Sequence, residues 1–172
     1  MKTLLDSAQL SITLNRLAHQ LAEAHDDFSE AAIIGIQPRG VALSDRLVQL
    51  LQGITGNAGM RYGKLDITFH RDDLHAGGGL HTPSVNSMPF SVEGRTVVLV
   101  DDVLHTGRTI RAAMDALMAY GRPARVELLT LIDRKFSREL PVQPDYTGRS
   151  IDTIMSQKVV VDWSREEVLL IG

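Results

Sequence analysis

The sequence predicts an α/β fold in which helices flank a mostly parallel sheet, and three features of the chain predict it. The runs Ala31 to Ile36 and Val97, Val98, Leu99, Val100 are continuously apolar rather than alternating, the pattern of strands covered on both faces. Other segments carry apolar residues at helical spacing, and strands that alternate with helices pair in parallel through crossover connections. Both apolar runs lead into turns rich in charge and glycine, at the strand ends where open α/β sheets bind ligands.

In chain order, Leu10, Leu14, Leu17, Ala18, Leu21 and Ala22 predict an amphipathic helix over 7–25, with Asp6 or Ser7 as its cap. Asn15, Arg16 and His19 share the opposite face of that helix. The strand at 31–36 is followed by the turn Gln37-Pro38-Arg39-Gly40 and a helix over roughly 41–51. Leu65 to Phe69 alternates like a strand. Residues 76–88 are rich in Gly, Ser and Pro without periodicity and read as a mobile loop. The strand at 97–100 then leads to a helix at 109–120, stopped by Gly121-Arg122-Pro123, and to a strand at 125–132. Short strands near 158–163 and 167–171 complete the pattern.

A chain of 172 residues, 44% hydrophobic and 23% charged, fits one globular domain over 1–172. Zero cysteines exclude a disulfide framework and thiolate catalysis, and fit a reducing, cytoplasmic compartment. No stretch approaches the ~20 apolar residues of a membrane span, and MKTLLDSAQL lacks the apolar core of a signal peptide. A formal net charge of −3 argues against indiscriminate nucleic-acid binding but leaves room for a local basic patch.

The most informative stretch is VVLVDDVLHTGRT at 97–109. Its apolar run is bounded by Asp101 and Asp102, expected at the strand's carboxyl end; Val103, Leu104 and His105 lead on to the turn Thr106-Gly107-Arg108-Thr109. That turn opens a helix, so backbone N–H groups and a helix N-terminus lie side by side, a site suited to a phosphate dianion. Carboxylates beside an anion cradle suit a phosphorylated ribose. The stretch is no Walker loop, and Gly77-Gly78-Gly79 has no strand-to-helix pattern around it.

Three further segments add charge. Arg39, followed by Gly40 in a tight turn, can reach a pyrophosphate with a bidentate guanidinium. Asp66 to Asp73 would deliver Arg71 and two acids to the glycine-rich loop, as a lid carrying charge over the site. Leu131 to Pro141 follows the next strand and includes Arg134 where a base pocket could lie. His70, His75 and His81 match no zinc signature.

The stretch at 97–109 resembles the phosphoribosyl pyrophosphate motif of type I phosphoribosyltransferases. LDITFHRDDL at 65–74, VVLVDDVLHTGRTIRAAMDAL at 97–117 and RELPVQPDYTGRSI at 138–151 together resemble the pyrimidine operon attenuation proteins that are also uracil phosphoribosyltransferases. Similarity extends from the Leu14-Asn15-Arg16-Leu17-Ala18-His19 helix to the Lys158-Val159-Val160-Val161 strand. The chain departs from that family at four places. His105 stands where the family usually has tyrosine, and the hood segment D-R-K-F-S-R-E-L-P adds a residue and loses a Gly-His pair. Gln37 and Met155 stand where lysines are usual.

The resemblance implies a type I phosphoribosyltransferase-like fold with a small hood and a flexible loop, and transfer of ribose 5-phosphate from phosphoribosyl pyrophosphate to uracil. It implies Mg²⁺ held by Asp101 and Asp102, which would also hold the ribose hydroxyls, with Arg39 and Arg71 on the pyrophosphate. Residues 97–109, Arg39, Gly40 and Arg134 are the implied substrate-binding set. It further implies uridine-nucleotide-dependent binding of a pyrimidine-operon mRNA leader by Asn15, Arg16, His19, Arg138, Arg149 and Lys158, in a homodimer or homotetramer. Two other readings stay open: a nucleotide sensor with little or no transferase activity, and a purine or orotate phosphoribosyltransferase without RNA binding.

Overall fold

The computed structural model describes residues 1–73 and 83–172. Its elements are β1 (Lys2–Leu5), α1 (Ser7–His25), β2 (Ala31–Ile36), α2 (Arg39–Thr55), β3 (Arg61–Leu65), β4 (Thr96–Leu104), α3 (Arg108–Leu117), β5 (Arg125–Lys135), β6 (Tyr146–Asp152), β7 (Lys158–Asp162) and β8 (Glu167–Ile171). A five-stranded parallel sheet has the order β3-β2-β4-β5-β6, and an antiparallel sheet of three strands has the order β1-β8-β7.

Helix α1 starts where expected. Asp6 caps it by accepting from the Gln9 N–H at 2.8 Å, while the Gln9 side chain accepts from the Asp6 N–H at 3.1 Å, a reciprocal capping box. The continuous apolar strands are buried on both faces, as their pattern requires. Along β4, Val98 and Val100 pack with α1 and α2, whereas Val97 and Leu99 pack on the other face with Ile110, Ala113 and Leu117 of α3.

The expected strand at Leu65 to Phe69 is corrected: β3 ends at Leu65, and Thr68–His70 form a single 3-10 turn. The Asp66 carboxylate causes the turn, since it accepts from both the Thr68 N–H (3.0 Å) and the Thr68 hydroxyl (2.7 Å). The strand at 97–100 runs on to Leu104, so Asp101 and Asp102 lie within it rather than after it. The next strand likewise includes Asp133 and Arg134. Helix α3 is shorter than predicted, passing into a 3-10 turn at Met118–Tyr120 before Gly121. The expected loop over 76–88 lies outside the described residues as far as 82. Beyond them, Ser87 exchanges two backbone hydrogen bonds with Lys64 (2.8 and 2.9 Å).

Strand order fixes where a ligand can enter. From β2 the chain crosses to β3 on one side, then returns to β4 on the other, so the carboxyl ends of β2 and β4 form the switch point of the sheet. β2 pairs with β4 only as far as Gly35 opposite Val100, whereas β4 stays paired with β5 to Leu104 opposite Asp133. A crevice opens where β2 stops.

Candidate active site

That crevice is a cleft of about 520 Å³. Its floor is Asp101 and Asp102, only 6% and 7% exposed. Burial and the adjoining Asp102 charge push the Asp101 carboxyl well above the usual carboxylate range. Burial also raises Asp102, opposed by the Arg39 guanidinium. Two adjacent carboxylates held this way are short of compensating charge, and hard oxygen donors are what a magnesium ion that keeps its waters takes from a protein. The pair therefore fits Mg²⁺ together with ribose hydroxyls. Among the described residues no group of three or more His, Cys, Asp or Glu side chains could hold a metal by itself.

Arg39 begins α2 directly after the turn that leaves β2, and it lines the cleft with Gln37 and Pro38. Gly40 sets how closely the turn approaches the strand. A Cβ at this position would stand 2.2 Å from the Val100 carbonyl oxygen, so only glycine lets α2 seat against β4 beside the acids.

The opposite wall is the turn Thr106 to Thr109. Gly107, the N-cap of α3, adopts a left-handed φ of +94° and has no side chain to cap the helix. The Thr106 hydroxyl accepts from the Arg108 N–H at 3.3 Å, and the N–H groups that follow stay available to an anion. The segment after β5 pins this turn in place: the Glu139 and Leu140 N–H groups both donate to the Thr106 carbonyl, at 3.0 and 3.1 Å. Thr106, Gly107 and Thr109 line the cleft, as do Val103, Leu104 and His105. The Arg108 side chain does not line it; it pairs instead with Asp72 (2.7 Å) and Glu139 (2.6 Å).

Val97, Val98, Leu99 and Val100, expected to bind substrate, are fully enclosed in the two cores and carry the motif rather than line the cleft. Arg71 does line it, held by both oxygens of Asp73 at 2.8 and 2.5 Å. Arg134 reaches it from the end of β5.

The six residues expected to bind RNA fall in different settings. Lys158 lines the cleft, brought there with Val159 by the second sheet. Arg138 bonds Asp133 at 2.5 Å and donates to the His105 carbonyl, tying the hood segment to the motif. Asn15 borders a groove of about 310 Å³ between α1 and α2. Arg16 donates to the Thr147 and Gly148 carbonyls of β6 at 3.4 and 2.5 Å, Arg149 donates to the Leu4 carbonyl, and His19 is exposed on α1. Sequence reasoning missed Val159 and placed Lys158 elsewhere. No local signal joins them to a motif some fifty residues upstream.

The comparisons agree with this geometry. The profile of the phosphoribosyl transferase domain family matches residues 1–167. The bifunctional protein PyrR of Nostoc punctiforme is 43% identical over 173 residues, covering 98% of this chain and 96% of that protein. The bifunctional protein PyrR of Elusimicrobium minutum is 41% identical over 158 residues, covering 92% of this chain and 87% of that protein. The chain belongs to the phosphoribosyltransferases, in the PyrR branch. In fold it is similar to a hypoxanthine phosphoribosyltransferase of Trypanosoma cruzi, with a TM-score of 0.74 at 16% identity over 99% of this chain and 95% of that one. This phosphoribosyltransferase has, among its described residues, no helix long and apolar enough to cross a membrane.

Proposed function

We propose that the cleft transfers ribose 5-phosphate from phosphoribosyl pyrophosphate to N1 of uracil, releasing uridine monophosphate and pyrophosphate. The observation that carries this reading is the buried Asp101–Asp102 pair at the sheet's switch point, between the Arg39 turn and the glycine-capped start of α3. The amides and hydroxyls of Thr106 to Thr109 would bind the 5-phosphate, and Arg39 the pyrophosphate, with Arg71 joining it on release from Asp73. The reaction passes through an oxocarbenium-like sugar, and two carboxylates beneath the ring favour that positive charge. Mg²⁺, when bound by the acids, supplies charge that stabilises the leaving pyrophosphate. Arg134 and Val159 line the cleft, where they would flank the base and help exclude the water that would otherwise capture the sugar. Initial rates with uracil, hypoxanthine, guanine and orotate test the assignment. Uridine monophosphate from uracil alone is expected; turnover only of a purine or of orotate would replace uracil as the substrate.

The bifunctional character that the relatives' name records, together with exposed His19 and the Arg16 and Arg149 cations along α1 and β6, supports a second activity: uridine-nucleotide-dependent binding of a pyrimidine-operon mRNA leader. Filter binding of that leader with and without uridine monophosphate tests it. Tighter binding with nucleotide is expected, and no binding at low salt in either condition would leave only the enzyme.

A further inference from the structure

Two polar groups in the cleft have atoms that the fold does not satisfy. Arg134 is 5% exposed, yet its guanidinium meets no carboxylate among the described residues. Its Nε donates to the Thr153 hydroxyl at 2.9 Å and its Nη2 to the Ile154 carbonyl at 3.3 Å, which leaves Nη1 unclaimed and not enclosed by protein. A buried cation fixed by neutral partners, with one N–H edge open to a cleft, is a donor awaiting an acceptor. His105, at the end of β4, is the second group. Its Nε2 is enclosed without a hydrogen-bond partner, while its Nδ1 is neither enclosed nor bonded. The ring thus has one open nitrogen, and His105 lines the cleft beside the phosphate turn.

Building on the uracil reading of this site, we propose that His105 and Arg134 read one edge of the incoming base, a carbonyl beside an N–H. Arg134 Nη1 donates to the carbonyl oxygen, and the open nitrogen of His105 accepts from the neighbouring N–H. The pair selects lactam and imide bases and rejects amidine bases such as cytosine, whose corresponding edge offers the opposite donor–acceptor order. In uracil that edge is O4 with N3–H. It faces away from N1, so recognition at the far end leaves N1 directed at the anomeric carbon above Asp101 and Asp102.

The electrostatic surroundings keep His105 an acceptor. The groups facing the ring are Arg134 from β5, and Arg138 and Glu139 from the segment after it. Burial, with the two arginine charges, pushes the imidazole below its ordinary pKa against the opposing effect of Glu139. The ring therefore stays neutral through neutral pH, and Arg138 holds its backbone by donating to the His105 carbonyl. Protonation at acid pH turns the acceptor into a donor and abolishes the match.

The test is calorimetric binding of uridine monophosphate, its N3-methyl derivative and cytidine monophosphate to the full chain, which needs no turnover. The unaltered protein is expected to prefer uridine monophosphate over both by at least ~100-fold, since a site built to bond a polar edge rejects analogues lacking it. His105→Ala is expected to shrink the preference over the N3-methyl nucleotide at least ~10-fold, and His105→Gln, which keeps an acceptor, to restore part of it. The preference should also fall as pH drops below the ordinary histidine range. Equal binding of the three nucleotides, or full discrimination retained in His105→Ala, would overturn the proposal. That result leaves uracil transfer standing if uracil is still turned over, whereas loss of turnover with discrimination intact would overturn only the transfer reading.

Discussion

The cleft and the face formed by α1 and β6 carry similar side chains in opposite states. On the α1–β6 face Arg16 and Arg149 are exposed, and backbone carbonyls already accept their N–H groups. In the cleft the acids are buried side by side, Arg134 has no acid partner among the described residues, and a His105 nitrogen is enclosed unpaired. Polar groups left unsatisfied in a low-dielectric site oppose folding, and they persist where a ligand completes them. The contrast teaches where the chemistry lies. Exposed, satisfied cations suit reversible attraction to a polyanion, whereas buried, incomplete charges suit a reaction.

Substituting the floor of the cleft should break the comparison most severely. Asp101→Asn or Asp102→Asn is expected to lower turnover at least ~100-fold while leaving the fold intact. Stability should move the other way. A carboxyl whose folded pKa is raised opposes folding once pH rises above its unfolded value near 3.9. The penalty is absent below that pH and grows as pH climbs towards the raised folded value. In ligand-free protein, thermal melting across pH 4 to 8 should therefore show Asp101→Asn gaining on the unaltered chain as pH rises. Near-normal turnover in both variants would remove the pair from the mechanism.

Gly40→Ala comes next, because its Cβ must displace the Val100 carbonyl from a 2.2 Å approach. Overpacking of this kind costs roughly 1–3 kcal/mol, read as a fall in melting temperature, and it moves Arg39 away from the acids. The KM for phosphoribosyl pyrophosphate should rise with it. On the other face, Arg16→Ala should weaken leader RNA binding and reduce the slope of log affinity against log salt by about 0.7–0.9, one phosphate contact. Transfer activity should be untouched. Arg108→Ala should do least: its pairs with Asp72 and Glu139 are exposed, and such pairs contribute about 0–1 kcal/mol.

Much of this was legible in the sequence, for reasons visible residue by residue. Residues 31–36 and 97–100 announced the central strands because burial on both faces leaves no polar position, and the short acceptors Asp6 and Ser7 announced the helix start, where folding selects Asp6 as the cap. The strand β6 was not legible. It lies at the sheet edge, half exposed, and its Thr147, Arg149 and Asp152 follow no apolar pattern. The motif at 97–109 brought out the acids and the phosphate turn because all their chemistry is contiguous. Lys158 and Val159 reach the same cleft only because β7 joins a second sheet, and no local spacing records that. The state of His105 depends on burial and on the charges of Arg134, Arg138 and Glu139 that folding brings near it, so it too appears only after folding.

The most direct test of the central claim is product analysis with phosphoribosyl pyrophosphate, Mg²⁺ and uracil, comparing the unaltered chain with a folded Asp102→Asn variant. Uridine monophosphate and pyrophosphate should appear in equal amounts with the unaltered chain and fall at least ~100-fold in the variant. Equal rates in the two proteins, or no uridine monophosphate from the unaltered chain, would contradict the account.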